Sequence, residues 1–162
     1  MNEELHPVDR QSADKKPGSF EDFQQFIHLE NVDQKTSDLF RSFLRSLHSV
    51  SRQYWSPGAC HACEDLETKA RTLTKRPEYA GIQITPRSYL GEAHYWLEVA
   101  IGPAAVLIVD PFGVPTPGND YMREMRTIVP FFGDPAYAAP YAQEVYSAGK
   151  ELGSRGYHRF HP

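Results

Sequence analysis

The chain contains 162 residues and carries a net charge of −4, from 17 basic and 21 acidic side chains. This length favours one domain with a hydrophobic core, and the charge balance argues against a basic surface for nucleic acid or for anionic membranes. The two cysteines, Cys60 and Cys63, are too few for a disulfide framework.

The N-terminal region indicates neither an export signal nor an ordered element. No stretch reaches transmembrane length, and the N-terminus lacks the apolar core of a signal peptide. We therefore expect a protein that resides in the cytoplasm or is delivered to a target cell by a specialised secretion system. Residues 1–18 are polar and contain Pro7, Pro17 and Gly18, which predicts a disordered tail. The single folded domain is expected over residues 19–162.

Three helices are predicted in the first half of this domain. Ser19, followed three residues later by Asp22, is a capping signal for the first helix. Helical spacing then predicts a second helix over residues 36–50 and a third over residues 59–73, which ends before Pro77. The apolar stripes of the three helices are Phe20, Phe23, Phe26 and Ile27; Leu39, Phe40, Phe43, Leu44, Leu47 and Val50; and Ala59, Cys63, Leu66, Ala70 and Leu73.

A short strand over residues 81–85, ending at Pro86, and a β-hairpin are predicted next. The hairpin consists of two apolar runs joined by the turn signal Gly102-Pro103. Folding it about Gly102 places His94 opposite Asp110, with side chains roughly 5 Å apart at Cβ. The other expected pairs are Trp96 with Ile108 on the same face, and Tyr95 with Val109, Leu97 with Leu107 and Val99 with Ala105 on the other face.

The remainder of the chain predicts loops and two further helices. We expect a loop over residues 111–120, a helix over 121–129, a turn region over 130–135 and a last helix over 139–152. The side chains expected to face inward are Met122, Met125, Ile128 and Val129 in the first of these helices, and Tyr141, Val145, Ala148 and Leu152 in the second. The element order predicts an α+β fold in which an antiparallel sheet packs on helices.

The paired His94 and Asp110 suggest part of a catalytic triad, for which a cysteine would be the nucleophile. A thiol attacks as the thiolate, and both a helix N-terminus and a nearby imidazole favour that form. Cys60 and Cys63 fall near the start of the third helix. His94 would supply the imidazole if this helix packs on the hairpin face that carries His94, and Asp110 would hold its tautomer.

The order of these residues resembles the transglutaminase-like and papain-like cysteine superfamily. The motifs concerned are Gly58-Ala-Cys60-His-Ala-Cys63, His94-Tyr-Trp-Leu-Glu-Val99 and Ile108-Val-Asp110-Pro-Phe-Gly113. Bacterial toxin and effector domains of this superfamily, including protein-glutamine deamidases, are similar in size. The resemblance implies a papain-like core in a single catalytic domain, no cofactor or metal, and attack of a thiolate on an amide of a protein substrate. An immunity protein or chaperone is an implied partner if the chain is a toxin.

Either cysteine fits the role of nucleophile. Cys60 follows Gly58 and lies nearer the helix start, whereas Cys63 lies on the stripe that must face the sheet, and the papain-like motif also uses its second cysteine. We rank Cys63 first. Gln53, Tyr54 or Trp55 could add a donor for the oxyanion, and Trp96 could form part of the substrate cleft.

Other interpretations of the same residues remain open. His94 and Asp110 would also make a structural hydrogen bond at strand ends, and the two thiols could be inert and buried. His28-Leu-Glu30 followed by Cys60-His-Ala-Cys63 is typical of zinc deaminases, but Pro57 is not adjacent to Cys60. A cysteine peptidase, a transglutaminase and a non-catalytic interaction module are the remaining alternatives.

Overall fold

The structure is a computed structural model that describes residues 18–54, 61–89, 94–103, 105–114 and 130–151, with backbone alone for 53–54 and 61–64. Residues 1–17 of the predicted tail over 1–18, the helix over 121–129 and the position of Leu152 lie outside the described residues. The described residues form four α-helices and a five-stranded antiparallel sheet, so the predicted α+β class is confirmed.

The helices precede the sheet, except for the last one. The helices are α1 (Phe20–Phe23), which continues as a 3-10 turn, α2 (Gln34–Tyr54), α3 (His61–Thr74) and α4 (Pro140–Ala148). The strands are β1 (Ile82–Tyr89), β2 (His94–Ile101), β3 (Ala105–Asp110), β4 (Phe131–Gly133) and β5 (Lys150–Glu151), in the spatial order β4-β3-β2-β1-β5.

The apolar stripes predicted for the first three helices are largely confirmed. In α2 the buried side chains include Phe40, Phe43 and Leu47, which solvent does not reach. The predicted capping relation at the first helix is also present, since the Ser19 N–H donates to the Asp22 carboxylate at 3.0 Å. A helix whose buried side chains recur at helical spacing is held by its packing rather than by propensity alone.

The hairpin register differs from the prediction by two residues. Val99 lies opposite Leu107 and Ile101 opposite Ala105, so the register is symmetric about Pro103 rather than about Gly102. Gly102 adopts a φ of 52°, a left-handed conformation that glycine supplies without strain. Because side chains alternate between faces, a shift of two residues leaves every predicted face unchanged.

Two further predictions about the sheet are wrong, and the prediction for the last helix is confirmed only in part. The first strand does not end at Pro86 but continues to Tyr89, and in the described residues β5 pairs with Arg87 and Ser88. The expected turn over residues 130–135 contains β4, which pairs with β3. In α4 the predicted Tyr141 and Val145 are partly buried and pack with the buried Ala142 and Tyr146, while Ala148 is exposed and the helix ends there.

The two faces of the sheet carry different layers. On one face α1, α2 and α3 pack against alternate residues of β2 and β3, among them Tyr95, Leu97, Val99, Leu107 and Val109. On the other face α4 covers Trp96 and Ile108, with Val114, Ala138, Ala142 and Tyr146 completing the buried cluster. The core is therefore divided by the sheet into a large helical layer and a small α4 layer.

Gly149 lies against the ring of Trp96 at the end of α4. A Cβ at this position would lie 2.2 Å from Cζ2 and 2.5 Å from Cη2 of Trp96. Gly149→Ala is therefore expected to lower the free energy of unfolding by about 1–3 kcal/mol, because a fully buried ring has no room to move. Urea denaturation measures the change. Gly81→Ala is the matched control, since nothing lies within 4 Å of its Cβ, and an equal loss in both variants would contradict this packing.

His48 of α2 is buried among aromatic rings. Its Nε2 lies 2.6 Å from the carbonyl oxygen of Gly18, and the rings of Phe20, Phe23 and Phe132 surround it. Burial lowers the pKa of His48 below its usual 6.5, and the charges of Arg52 and Arg45 lower it further, against the opposing hydrogen bond to Gly18.

The lowered pKa of His48 makes the stability of the protein depend on pH. The folded state favours the neutral ring, so this contribution is fully present above about pH 6.5 and is lost as the pH falls toward the lower folded pKa. Between pH 7 and pH 5, the free energy of unfolding should fall less in His48→Gln than in the native chain. Urea denaturation at each pH measures this free energy. Parallel curves for the two proteins would show that His48 does not contribute to this loss.

Candidate active site

The candidate site is built around the carboxylate of Asp110 at the end of β3. Solvent does not reach this side chain. Its Oδ1 accepts the N–H groups of Phe112 at 3.2 Å and Gly113 at 2.8 Å, and its Oδ2 lies 2.7 Å from Nε2 of His94 and 2.8 Å from the hydroxyl of Tyr146. Four polar partners therefore compensate for the burial of the carboxylate.

The sequence Asp110-Pro-Phe-Gly113 explains the two backbone contacts. An aspartate side chain readily accepts the N–H of the residue two positions on, which folds the chain into a turn. Gly113, which donates the second of these N–H groups, has a φ of 85°, in the left-handed region that favours glycine, so the chain turns at this residue. The Asp-Pro-Phe-Gly segment thus fixes the orientation of the carboxylate before any other element contacts it.

The hydrogen bond predicted between His94 and Asp110 is present, although the two residues are not directly opposed. Continuing the observed register by one pair places Trp96 opposite Asp110 and His94 diagonal to it. Diagonal neighbours are about 7–8 Å apart at Cα, which an imidazole and a carboxylate span. The two side chains share the α4 face of the sheet, and His94 is only 5% exposed.

The contacts of Asp110 determine which nitrogen of His94 carries the proton. An ionised carboxylate only accepts hydrogen bonds, so Nε2 of His94 donates to it. In the neutral ring the lone pair is then on Nδ1, and Nδ1 makes no hydrogen bond to any of the described residues. His94 is thus oriented as a base that acts through Nδ1.

Tyr146 of α4 is a member of this network that the sequence analysis missed. Helical phase was read from Tyr141, Val145 and Ala148, which placed Tyr146 outward. Burial raises the pKa of the Tyr146 hydroxyl well above its usual value of 10.0, and the charge of Asp110 and the hydrogen bond to it raise it further. Tyr146 therefore stays protonated and donates to Oδ2 of Asp110. The spacing of Ala142 and Tyr146, four residues apart, was the available sign of a buried face.

Trp96 is buried against the ring of His94 and does not line an open cleft. Solvent does not reach its side chain, its ring centroid is 5.5 Å from that of His94, and Tyr146 meets it edge to face at 5.2 Å. Its indole Nε1 is buried and makes no hydrogen bond within the described part of the chain. Packed between two members of the network, Trp96 limits the rotation of both rings.

The cysteine-bearing helix does not pack on the His94 face as expected. Leu66, Ala70 and Leu73 of α3 join the cluster on the opposite face of the sheet, and the hydroxyl of Tyr95 donates to the carboxylate of Glu67. The reason is the phase of β2: Tyr95 and Leu97 form the broader apolar face, which α3 covers. In the described residues, His94 and Asp110 therefore lie together on one face of the sheet, and α3 packs on the opposite face.

The remaining site candidates lie at or beyond the limits of the described side chains. Cys60 and Trp55 fall outside the described residues, and Cys63, Gln53 and Tyr54 are described by their backbone alone. His28 bonds to the carbonyl oxygen of Gln25 at 2.9 Å and stacks on Tyr137, while Glu30 is exposed. Among the described residues no group of three or more potential metal ligands occurs.

The geometry predicts the tautomer of His94 directly. Neutral His94 should carry its proton on Nε2, because Asp110 accepts at that nitrogen. Nitrogen-15 NMR of the imidazole distinguishes the two tautomers by their chemical shifts. In Asp110→Asn the preference should weaken, since a neutral amide stabilises the N–H less than a carboxylate does. A proton found on Nδ1 in the native chain would contradict the assignment.

Comparison with known proteins adds neither a family nor a fold. No family model matches the chain, and no curated protein and no solved structure shows significant similarity to it. Within the described ranges, no helix has both the length and the apolar character needed to cross a membrane.

Proposed function

We propose that the protein is a cysteine-dependent amide hydrolase or acyltransferase with a papain-like or transglutaminase-like core. In this proposal a thiol near the start of α3 is the nucleophile, His94 is its base and Asp110 orients His94. The observation that carries the proposal is the buried contact of 2.7 Å between Nε2 of His94 and Oδ2 of Asp110. It gives His94 the orientation and the tautomer that such chemistry requires.

The direction of α3 supports this assignment even though the helix packs on the other face. Glu67 is held by Tyr95, which is the neighbour of His94 in β2. β1 starts opposite Ile101 and ends opposite His94, and α3 leads into its start. The N-terminus of α3 is therefore directed toward the His94 end of the sheet. At a rise of about 1.5 Å per residue, position 63 is roughly 6 Å beyond Glu67 in that direction.

The proposed reaction begins with transfer of the thiol proton to Nδ1 of His94. The thiolate then attacks the carbonyl carbon of an amide, and the tetrahedral oxyanion is stabilised by backbone N–H groups of the first turn of α3. The imidazolium returns its proton to the leaving nitrogen, which departs as ammonia or an amine and leaves a thioester. Water attacks the thioester with His94 again as base, which releases a carboxylic acid and regenerates the thiol.

Cys63 is the preferred nucleophile, and Cys60 is the alternative. Cys63 lies in the first turn of α3, which spans His61–Thr74. Unpaired backbone N–H groups and the helix dipole favour an anion in that turn. Cys63 also precedes Glu67 by four residues, so the two positions share one side of the helix, and Glu67 contacts Tyr95 of β2.

The favoured reaction is deamidation of a glutamine side chain in a protein. This choice rests on the resemblance to effector and toxin deamidase domains of similar size. Peptide-bond cleavage and transamidation proceed through the same thioester and differ in the leaving group and in the acceptor. A toxin of this type would require an immunity protein or chaperone in the cell that makes it.

Thiol labelling across pH tests the proposal. A free thiol with a pKa of about 8.5 is only about one per cent thiolate at pH 6.5, so rapid iodoacetamide labelling there indicates an activated thiol. We expect one cysteine, Cys63 first, to label rapidly, and His94→Ala to slow that labelling roughly tenfold to hundredfold. Mass spectrometry of peptides locates the adduct, and Cys60→Ser and Cys63→Ser assign it independently.

His28→Ala is the matched control, because His28 stacks on Tyr137 and makes no contact with Asp110 among the described residues. It should leave the labelling unchanged. Equally slow labelling of both cysteines in the native chain would refute a thiol nucleophile. If the labelled cysteine is active, conversion of glutamine to glutamate in a protein substrate identifies the deamidase; peptide cleavage or cross-linking identifies the other two reactions.

A further inference from the structure

The hydroxyl of Tyr146 and the imidazole of His94 meet on one oxygen atom. Both lie within hydrogen-bonding distance of Oδ2 of Asp110, at 2.8 Å and 2.7 Å, while Oδ1 accepts two backbone N–H groups. Tyr146 is 4% exposed, and Asp110 is inaccessible to solvent. The shared oxygen therefore gives Tyr146 a direct path to His94 through the carboxylate.

We propose that Tyr146 is a positioning residue of the site, which acts on the imidazole of His94 through the shared oxygen of Asp110. This inference rests on the proposed function. A hydroxyl that donates to Oδ2 withdraws negative charge from the oxygen that accepts the His94 N–H. It thereby moderates the attraction between the carboxylate and the imidazolium, and it prevents the carboxylate from rotating away from the ring.

The position of Tyr146 also links α4 to the site. Its ring meets Trp96 edge to face, and Trp96 stacks on His94, so one tyrosine contacts the network both at the carboxylate and at the indole. Gly149 keeps the end of α4 against the same indole. Tyr146 thus connects α4 both to Asp110 and to Trp96.

The other titratable and charged groups on this face do not replace Tyr146. In the described residues these are Tyr89, which lies opposite His94 on β1; the ion pair of Arg87 and Glu98; Glu151, opposite Arg87 on β5; and Tyr141 of α4. Arg87 and Glu98 neutralise each other at 3.1 Å. No hydrogen bond joins any of these five side chains to Asp110 within the described part of the chain.

Tyr146→Phe removes only the hydroxyl and tests the inference. The carboxylate oxygen then carries more negative charge, so the imidazolium of His94 is favoured. The pH midpoint of the His94 titration, followed by NMR, should rise by about half a unit or more. Tyr141→Phe, on the same helix and without a hydrogen bond to Asp110 among the described residues, should leave this midpoint unchanged. An unchanged or lowered midpoint in Tyr146→Phe would overturn the inference.

A second variant keeps the test valid if Tyr146→Phe does not fold. Site-specific 3-fluorotyrosine at position 146 preserves the packing and makes the hydroxyl a stronger donor, so the His94 midpoint should move down instead of up. If the midpoint does not move down in this variant, the inference is overturned. The His94 titration does not require a reactive thiol. Slow labelling of both cysteines would therefore refute the proposed function alone, whereas an unmoved midpoint would refute the role of Tyr146 alone.

Discussion

The buried carboxylate of Asp110 is the constraint on which the arrangement of the α4 side of the sheet depends. A charge without access to water is stable only when several donors surround it. Here the donors come from three places: the turn that follows β3, His94 at the start of β2, and Tyr146 of α4. Each hydrogen bond to a charged group contributes about 1.5–3 kcal/mol, so displacing any one of these elements would leave a costly unsatisfied charge.

β2 connects this network to the helical layer through two adjacent residues. Tyr95 points to the α3 face and bonds to Glu67, whereas His94 points to the α4 face and bonds to Asp110. Since neighbouring side chains of a strand point to opposite faces, one short segment fixes the position of α3 and the orientation of the base. In the proposed mechanism, a thiol from α3 therefore approaches Nδ1 of His94 around the end of the sheet, not through it.

Alternation along the strands predicted the faces reliably, because burial enforces a period of two. For that reason His94 and Asp110 were correctly placed together even though the hairpin was folded about Gly102 rather than about Pro103. The face of Tyr95, Leu97 and Val99 is the more apolar one in the sequence, since His94 and Glu98 share the other, and α3 packs on that apolar face. The sequence did not predict β4, because three residues are too few to show a period. It did not predict the burial of Tyr146 either, because this depends on the hydrogen bond from its hydroxyl to Asp110.

The contacts of His94 are relevant to the proposed catalytic role of the pair that it forms with Asp110. A buried histidine with a purely structural role is most stable when both ring nitrogens are hydrogen-bonded, since an unsatisfied buried polar atom is costly. In the described residues only Nε2 of His94 is engaged, and its partner is held by three other donors. These hydrogen bonds orient the ring of His94, and Nδ1 has no hydrogen-bond partner among the described residues. An available lone pair on an oriented ring, at the end of the sheet toward which α3 is directed, is the arrangement that a thiol nucleophile requires.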